Sequence, residues 1–153
     1  MVCPHPSIDA EPFQGAPVLV VDDEIGMRLF VSTLLETNGF TPLAARDGRE
    51  GLKKAQARKP VLAILDIMMP HEGGVWLYRA LKADDVLRDV PVLMLSGVTE
   101  SAFRHYLTML NSQVETPLPP PAAYLEKPPE ADLLLATIHA ILKTHSPESL
   151  DSA

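Results

Sequence analysis

Three stretches of the chain, VLVVDDE (18–24), VLAILDI (61–67) and VPVLMLSG (90–97), each contain apolar residues with no polar alternation. Strands that read this way are covered on both faces, the habit of parallel sheets in α/β proteins. Between them the pattern changes period. In MRLFVSTLLETNG, Met27, Phe30, Val31, Leu34 and Leu35 recur at the i, i+3, i+4 spacing of an amphipathic helix, which Gly39 closes. FTPLAA then reads as a short strand, and DGREGLKKAQARK as a helix with a largely polar outer face that Pro60 stops. VWLYRALKADD, ESAFRHYLTMLNS and PPEADLLLATIHAILK predict three more helices, the last with prolines before or in its first turn, and AAYLEK predicts a fifth strand. Strands and helices alternate five times, so the pattern predicts a doubly wound parallel sheet with helices on both faces.

Length and punctuation set the limits of this unit. The chain has 153 residues, enough for one domain with a substantial core. A Pro-containing leader occupies residues 1–16, the folded unit is expected over 17–144, and a polar tail follows over 145–153. Within the unit, PLPPP (117–121) is the one low-complexity piece and predicts a stiff, extended connection. Net charge is −7, which disfavours a nonspecific phosphate-backbone binder, so no direct nucleic-acid contact is expected. No apolar run approaches the ~20 residues of a membrane span, and the N-terminus lacks the basic start and apolar stretch of a signal peptide. A cytoplasmic location, away from the membrane, is expected. The single cysteine, Cys3, excludes an internal disulfide framework, and Cys3 with His5 falls short of a metal site.

Candidate chemistry gathers where the strands end. The first predicted strand runs into Asp22, Asp23 and Glu24, the third into Asp66, the fourth into Ser96 and the fifth into Lys127. Open α/β sheets bind ligands outside the carboxyl ends of their strands, so these residues share one edge. Glu24 can be assigned to the N-terminus of the next helix, where an acid is favoured. Two further acids side by side exceed that need. Crowded carboxylates repel unless a cation offsets them, and Mg²⁺ suits a few carboxylate oxygens together with water and phosphate. A lysine and a hydroxyl nearby complete a place for a phosphoryl group.

VLVVDDE, LDIMMP, VLMLSG and YLEKP, in this order, resemble the four signatures of the bacterial two-component response-regulator receiver domain, and the resemblance covers roughly residues 17–144. It implies a flavodoxin-like fold with strand order 2-1-3-4-5 and five helices. The implied function is acceptance of a phosphoryl group from a sensor histidine kinase or a histidine phosphotransfer protein. Position by position, the resemblance makes Asp66 the phosphoacceptor. Asp22, Asp23, Asp66 and the backbone carbonyl of Met68 become the ligands of Mg²⁺, with Mn²⁺ as a substitute. Lys127 pairs with the acceptor carboxylate and then with the phosphoryl oxygens. Ser96, with Gly97 after it, becomes the switch hydroxyl, and Tyr124 the aromatic switch. Pro128 is expected to follow a cis peptide bond. Arg28 fits the family's first-helix pattern and equally fits a surface charge.

Several positions depart from the family's usual pattern. Met68 and Val98 stand two residues beyond Asp66 and Ser96, where polar side chains commonly orient the hydrolytic water, so slow self-dephosphorylation is expected. Glu72 and Gly73 replace the usual apolar and acidic pair before Gly74. The stretch 104–122 is longer than the family's usual fourth helix and return loop, which either alters partner choice or is a neutral surface insertion. After the fifth helix about ten polar residues remain, too few for an output domain. The expectation is therefore a stand-alone, chemotaxis-regulator-like receiver acting on an unspecified protein partner or passing the phosphoryl group on, with phosphorylation-dependent pairing of two copies left open. Two rivals remain at this stage. One is a receiver-fold interaction module that works without phosphorylation. The other, a Mg²⁺-dependent aspartyl-phosphate phosphohydrolase, would need a second acid two residues after its nucleophile, where this chain has Met68.

Overall fold

The computed structural model describes residues 13–69 and 73–145. Cys3, His5, Glu72, most of the leader and the tail beyond His145 lie outside the described residues. The elements alternate along the chain as β1 (Pro17–Val21), α1 (Ile25–Thr37), β2 (Thr41–Ala45), α2 (Gly48–Ala57), β3 (Leu62–Leu65), α3 (Gly74–Ala83), β4 (Val92–Ser96), α4 (Glu100–Asn111), β5 (Ala123–Glu126) and α5 (Ala131–Thr144). All pairings are parallel, as the alternating pattern predicts, and the sheet order is β2-β1-β3-β4-β5, the flavodoxin-like order that the receiver-domain resemblance implies.

Strand period two divides the core in half. Leu19, Val21, Ala63, Leu65, Val92 and Met94 face one layer, with Leu77, Leu81 and Phe103 from α3 and α4. Val18, Val20, Leu62, Ile64, Leu93 and Leu95 face the other, with Val31 and Leu35 from α1 and Leu134, Ile138 and Ile141 from α5. Both faces of β1, β3 and β4 are therefore apolar, which explains the absence of polar alternation in the sequence. The edge strands β2 and β5 are mostly half-buried.

Boundaries differ from expectation at several ends. α1 begins at Ile25, two residues before Met27, and α2 ends at Ala57, ahead of the Pro60 stop. Pro128 and Pro129 both precede α5, which starts at Ala131. Of the five apolar residues assigned to the buried stripe of α1, Val31 and Leu35 are buried and Met27 and Leu34 pack partly against them, but Phe30 turns outward beside Leu29 and Ile25. The helix meets the sheet along a narrower stripe than its sequence suggests.

Gly39 and Gly74 are among the glycines that geometry requires. Gly39 adopts φ +89° after α1, a left-handed conformation that costs glycine nothing. At Gly74, a Cβ would lie 1.9 Å from the carbonyl oxygen of Asp66. The first turn of α3 thus rests directly on the backbone at the end of β3, and that clashing partner is main chain that cannot swing aside.

The long return between α4 and β5 is a built element. α4 stops at Asn111, whose side-chain amide donates to the Leu118 carbonyl (2.8 Å) and accepts from the Leu118 N–H (2.8 Å). Leu118 is buried in the core, and the buried Tyr78 of α3 donates its hydroxyl to the Pro119 carbonyl (2.5 Å). Burial pushes the Tyr78 phenol up to about 12, so it stays a donor throughout the neutral range. Residues 112–122 form a strap fastened to both α3 and α4.

Gly74→Ala should cost about 3 kcal/mol of unfolding free energy, because backbone must move to admit the methyl group. Urea denaturation measures it, and a variant as stable as the parent would show that α3 does not need its close approach to β3.

Candidate functional site

The sheet places the predicted residues one step past its strands. The Asp22 N–H donates to Ala45 (3.1 Å), the Asp66 N–H to Val21 (3.1 Å) and the Lys127 N–H to Ser96 (2.8 Å), so each backbone is still held by a neighbouring strand. Alternation then sets their direction. Asp22 and Asp66 continue the phase of Val20 and Ile64, and Lys127 that of Leu125, all on the face covered by α1 and α5. Ser96 and Tyr124 belong to the opposite phase, with Met94, on the α4 side.

The result is an anionic pocket around one ammonium group. Asp22 and Asp66 are buried, whereas Asp23 is exposed, and an oxygen from each carboxylate lies within 4.8 Å of the others. Lys127 Nζ stands 2.8 Å from Asp22 Oδ2, 3.2 Å from Asp66 Oδ2 and 2.7 Å from Glu24 Oε1. Burial raises Asp22 above the usual carboxylate range, and its contact with Lys127 only partly offsets this. Burial works against the charge on Lys127, but the surrounding carboxylates outweigh it and hold the ammonium above its usual value. Three oxygen donors held close, two of them buried, fit a hard divalent cation that keeps some of its water, and the charge balance of the pocket favours one.

Backbone groups trim the pocket. The Met68 N–H donates to Asp66 Oδ1 (3.1 Å), fixing the rotamer of the carboxylate, while the Met68 side chain projects into solvent at 65% exposure. Arg28 donates to the Asp22 carbonyl (2.6 Å), so it belongs to the base of the site. The Lys127–Pro128 peptide is cis. A Cβ at Gly97 would meet nothing within 4 Å, so this glycine is not required by packing.

Glu24 departs from the capping role its position suggests. It occupies the N-cap of α1 without a side-chain capping bond, and its carboxylate goes to Lys127 instead. Sequence position could not show this, because the partner is 103 residues away.

On the α4 side, the fully buried Ser96 accepts the Val98 N–H at its Oγ (3.2 Å), and Tyr124 donates its hydroxyl to the Val98 carbonyl (2.5 Å). Burial raises the Tyr124 phenol, against partial relief from the Ser96 hydroxyl. The Tyr124 ring stacks on Phe103 of α4 with centroids 5.3 Å apart and planes inclined by 26°. From sequence, the i, i+4 relation of Phe103 to Leu107 marks both simply as core, and its stack on Tyr124 could not be read there.

Comparison with known proteins agrees with this geometry. Residues 18–116 match the family described as the response regulator receiver domain. The phosphate regulon transcriptional regulatory protein PhoB of Escherichia coli (strain K12) is 32% identical over 136 residues, covering 88% of this chain and 55% of PhoB. The chain thus spans about half the length of that relative. The polar-differentiation response regulator DivK of Brucella anthropi is 35% identical over 80 residues, 52% of this chain and 64% of DivK. Among solved structures, the chemotaxis protein CheY4 of Vibrio cholerae superposes with a TM-score of 0.71 at 31% identity, covering 83% of this chain and 98% of that one. Receiver domains bind Mg²⁺ at an acidic Asp cluster, and Asp22, Asp23 and Asp66 form such a cluster here. A carboxylate-lined pocket at the carboxyl edge of a 2-1-3-4-5 sheet, matched by sequence and by shape, places this chain in the response-regulator receiver family.

Proposed function

We propose that the protein accepts a phosphoryl group on Asp66 from a sensor histidine kinase or a histidine phosphotransfer protein and signals through the conformational change that follows. The observation that carries this reading is the buried Asp66 carboxylate, fixed by the Met68 N–H and 3.2 Å from Lys127, beside the acidic pair Asp22 and Asp23. An Asp66 oxygen attacks the phosphorus of a phosphohistidine. The O–P bond of an acyl phosphate forms, the P–N bond breaks, and its electron pair leaves with the imidazole. Mg²⁺, held by Asp22, Asp23, Asp66 and the Met68 carbonyl, would supply the positive charge that lets a phosphoryl group approach these carboxylates. Lys127 then shifts its contact from the acceptor carboxylate to a phosphoryl oxygen. Ser96 exchanges the Val98 N–H for another such oxygen, with Gly97 leaving open space beside it. Tyr124, hydrogen-bonded to the same Val98, follows.

This chemistry needs a kinase charged from ATP, so we place the protein in the cytoplasm; no described helix is long and apolar enough to cross a membrane. Downstream, a protein partner or a further phosphotransfer step would read the switch. Met68 rules against the phosphohydrolase, since a thioether cannot act as its acid/base. The phosphorylation-independent module is weakened by the presence of every pocket residue and is decided by the first measurement below.

Incubation with phosphoramidate and Mg²⁺ should add one phosphoryl group by intact mass, and the gain should vanish with chelator or in Asp66→Ala. No gain under any condition would favour the phosphorylation-independent module. The group should decay slowly, because neither Met68 nor Val98 can orient water, and Met68→Asn should speed its loss by roughly tenfold. Fast decay in the parent protein would contradict that assignment. In chelator, Lys127→Met should lower stability by about 2 kcal/mol, since two buried carboxylates lose their counter-charge while solvent screens part of the loss. Millimolar Mg²⁺ should recover much of this by binding the folded state alone, as urea denaturation with and without the ion would show.

A further inference from the structure

α1 carries an apolar groove on its outer side. Gly26, Leu29, Phe30, Thr33, Leu34 and Thr37 line a depression of about 420 Å³ along the helix. Ile25 and Leu29 are 73% and 64% exposed, and Phe30 turns outward beside them. The chain enters the fold beside the far end of this groove. Phe13, the first described residue, packs on the sheet face that α1 and α5 cover, and the Gly15 N–H donates to the Gly39 carbonyl (2.6 Å), two residues past Thr37. Residues 1–12, MVCPHPSIDAEP, lie outside the described residues and start from this point. Prolines at positions 4, 6 and 12 suit them to an extended backbone rather than a helix. Extended chain gains about 3.3 Å per residue, so Ile8, five residues before Phe13, reaches up to about 17 Å from it. Measured along α1, Leu29 stands about 12 Å and Gly26 about 16 Å from Thr37. Ile8 is the one large apolar side chain between Val2 and Phe13, and its reach falls on the part of the groove where Leu29 and Phe30 are exposed.

We propose that residues 1–12 lie along this groove with Ile8 seated against Leu29 and Phe30, so that the chain covers its own α1. Seating there removes the apolar surface of all three side chains from water. The helix begins next to Glu24, whose carboxylate meets Lys127, so the covered face borders the acidic pocket. A protein approaching the pocket over α1 must first displace the segment, and its apparent affinity falls in proportion to the fraction of molecules left open. The cover does not depend on the chemistry assigned to Asp66.

The test uses Cys3, the chain's single cysteine, to carry a nitroxide on the full chain, with amide signals recorded by NMR before and after reduction of the label. Dilute protein should lose the signals between Ile25 and Thr33, while those of α3 and α4, on the other side of the sheet, persist. Ile8→Asp should restore the lost signals. So should Leu29→Glu, whose exposed position lets the fold tolerate the charge. Uniform weak attenuation, or none, would overturn the proposal. Attenuation of α1 that survives both substitutions would overturn it too, because the groove would not be the seat. Mixing spin-labelled protein with isotope-labelled Cys3→Ser protein separates the two sources of the segment. No loss of α1 signals in the mixture is expected, and a loss there would assign the groove to a second copy and overturn the cover within one chain.

Discussion

One ammonium group among carboxylates is the interaction on which the rest of the site depends. Asp22 and Asp66 are buried side by side at the end of the sheet, a placement that repulsion and lost hydration both oppose. Lys127 makes it tolerable, while burial still raises the Asp22 carboxyl. One ammonium stands against Asp22, Asp23, Asp66 and Glu24, so the pocket is short of positive charge. That shortage is what makes it receptive to a divalent cation.

The fold supplies this arrangement through strand period alone. Asp22, Asp66 and Lys127 each lie one residue past a strand and inherit its alternation, so three side chains from distant parts of the chain point into the same space. Ser96 and Tyr124 inherit the other phase and meet on the α4 side. The carboxyl edge of the sheet therefore presents the charged groups to one layer and a hydroxyl pair to the other. Gly74 completes the construction, because any side chain there would push α3 off the carbonyl of Asp66.

The alternating architecture and the identity of the pocket residues were legible because both depend on local pattern: apolar runs for the strands, and polar residues placed where those runs stop. What the sequence could not show depends on contacts across the fold. Phe30 has the right spacing for a buried stripe, yet the sheet accepts only a narrow ridge of α1 and leaves it outside. Glu24 looks like a cap because its nearest context is a helix start, while its actual partner arrives from the end of β5. Arg28 divided evenly between surface and site until its bond to the Asp22 carbonyl placed it at the base. Phe103 reads as core and is core, but the ring that it stacks on is Tyr124, whose hydroxyl is bonded to Val98 beside Ser96.

The strap between α4 and β5 fixes α4 against the rest of the fold. The start of α4 is tied to the site side of the sheet twice, through the Phe103–Tyr124 stack and through Glu126, which accepts the Glu100 N–H (3.1 Å). Its far end is tied by Asn111 to Leu118, and the same strap is pinned to α3 by Tyr78. A helix fastened at both ends cannot simply slide along the sheet. Because the fastening at the far end includes a buried leucine and paired backbone groups, while the near end depends on a half-buried ring and an exposed carboxylate, the near end is the softer of the two. The exposed Tyr106 and Met109 lie between these two fastenings, on the helix whose near end is the less firmly held. The 104–122 region is therefore built into the fold at both ends of α4 and against α3, not looped out from it.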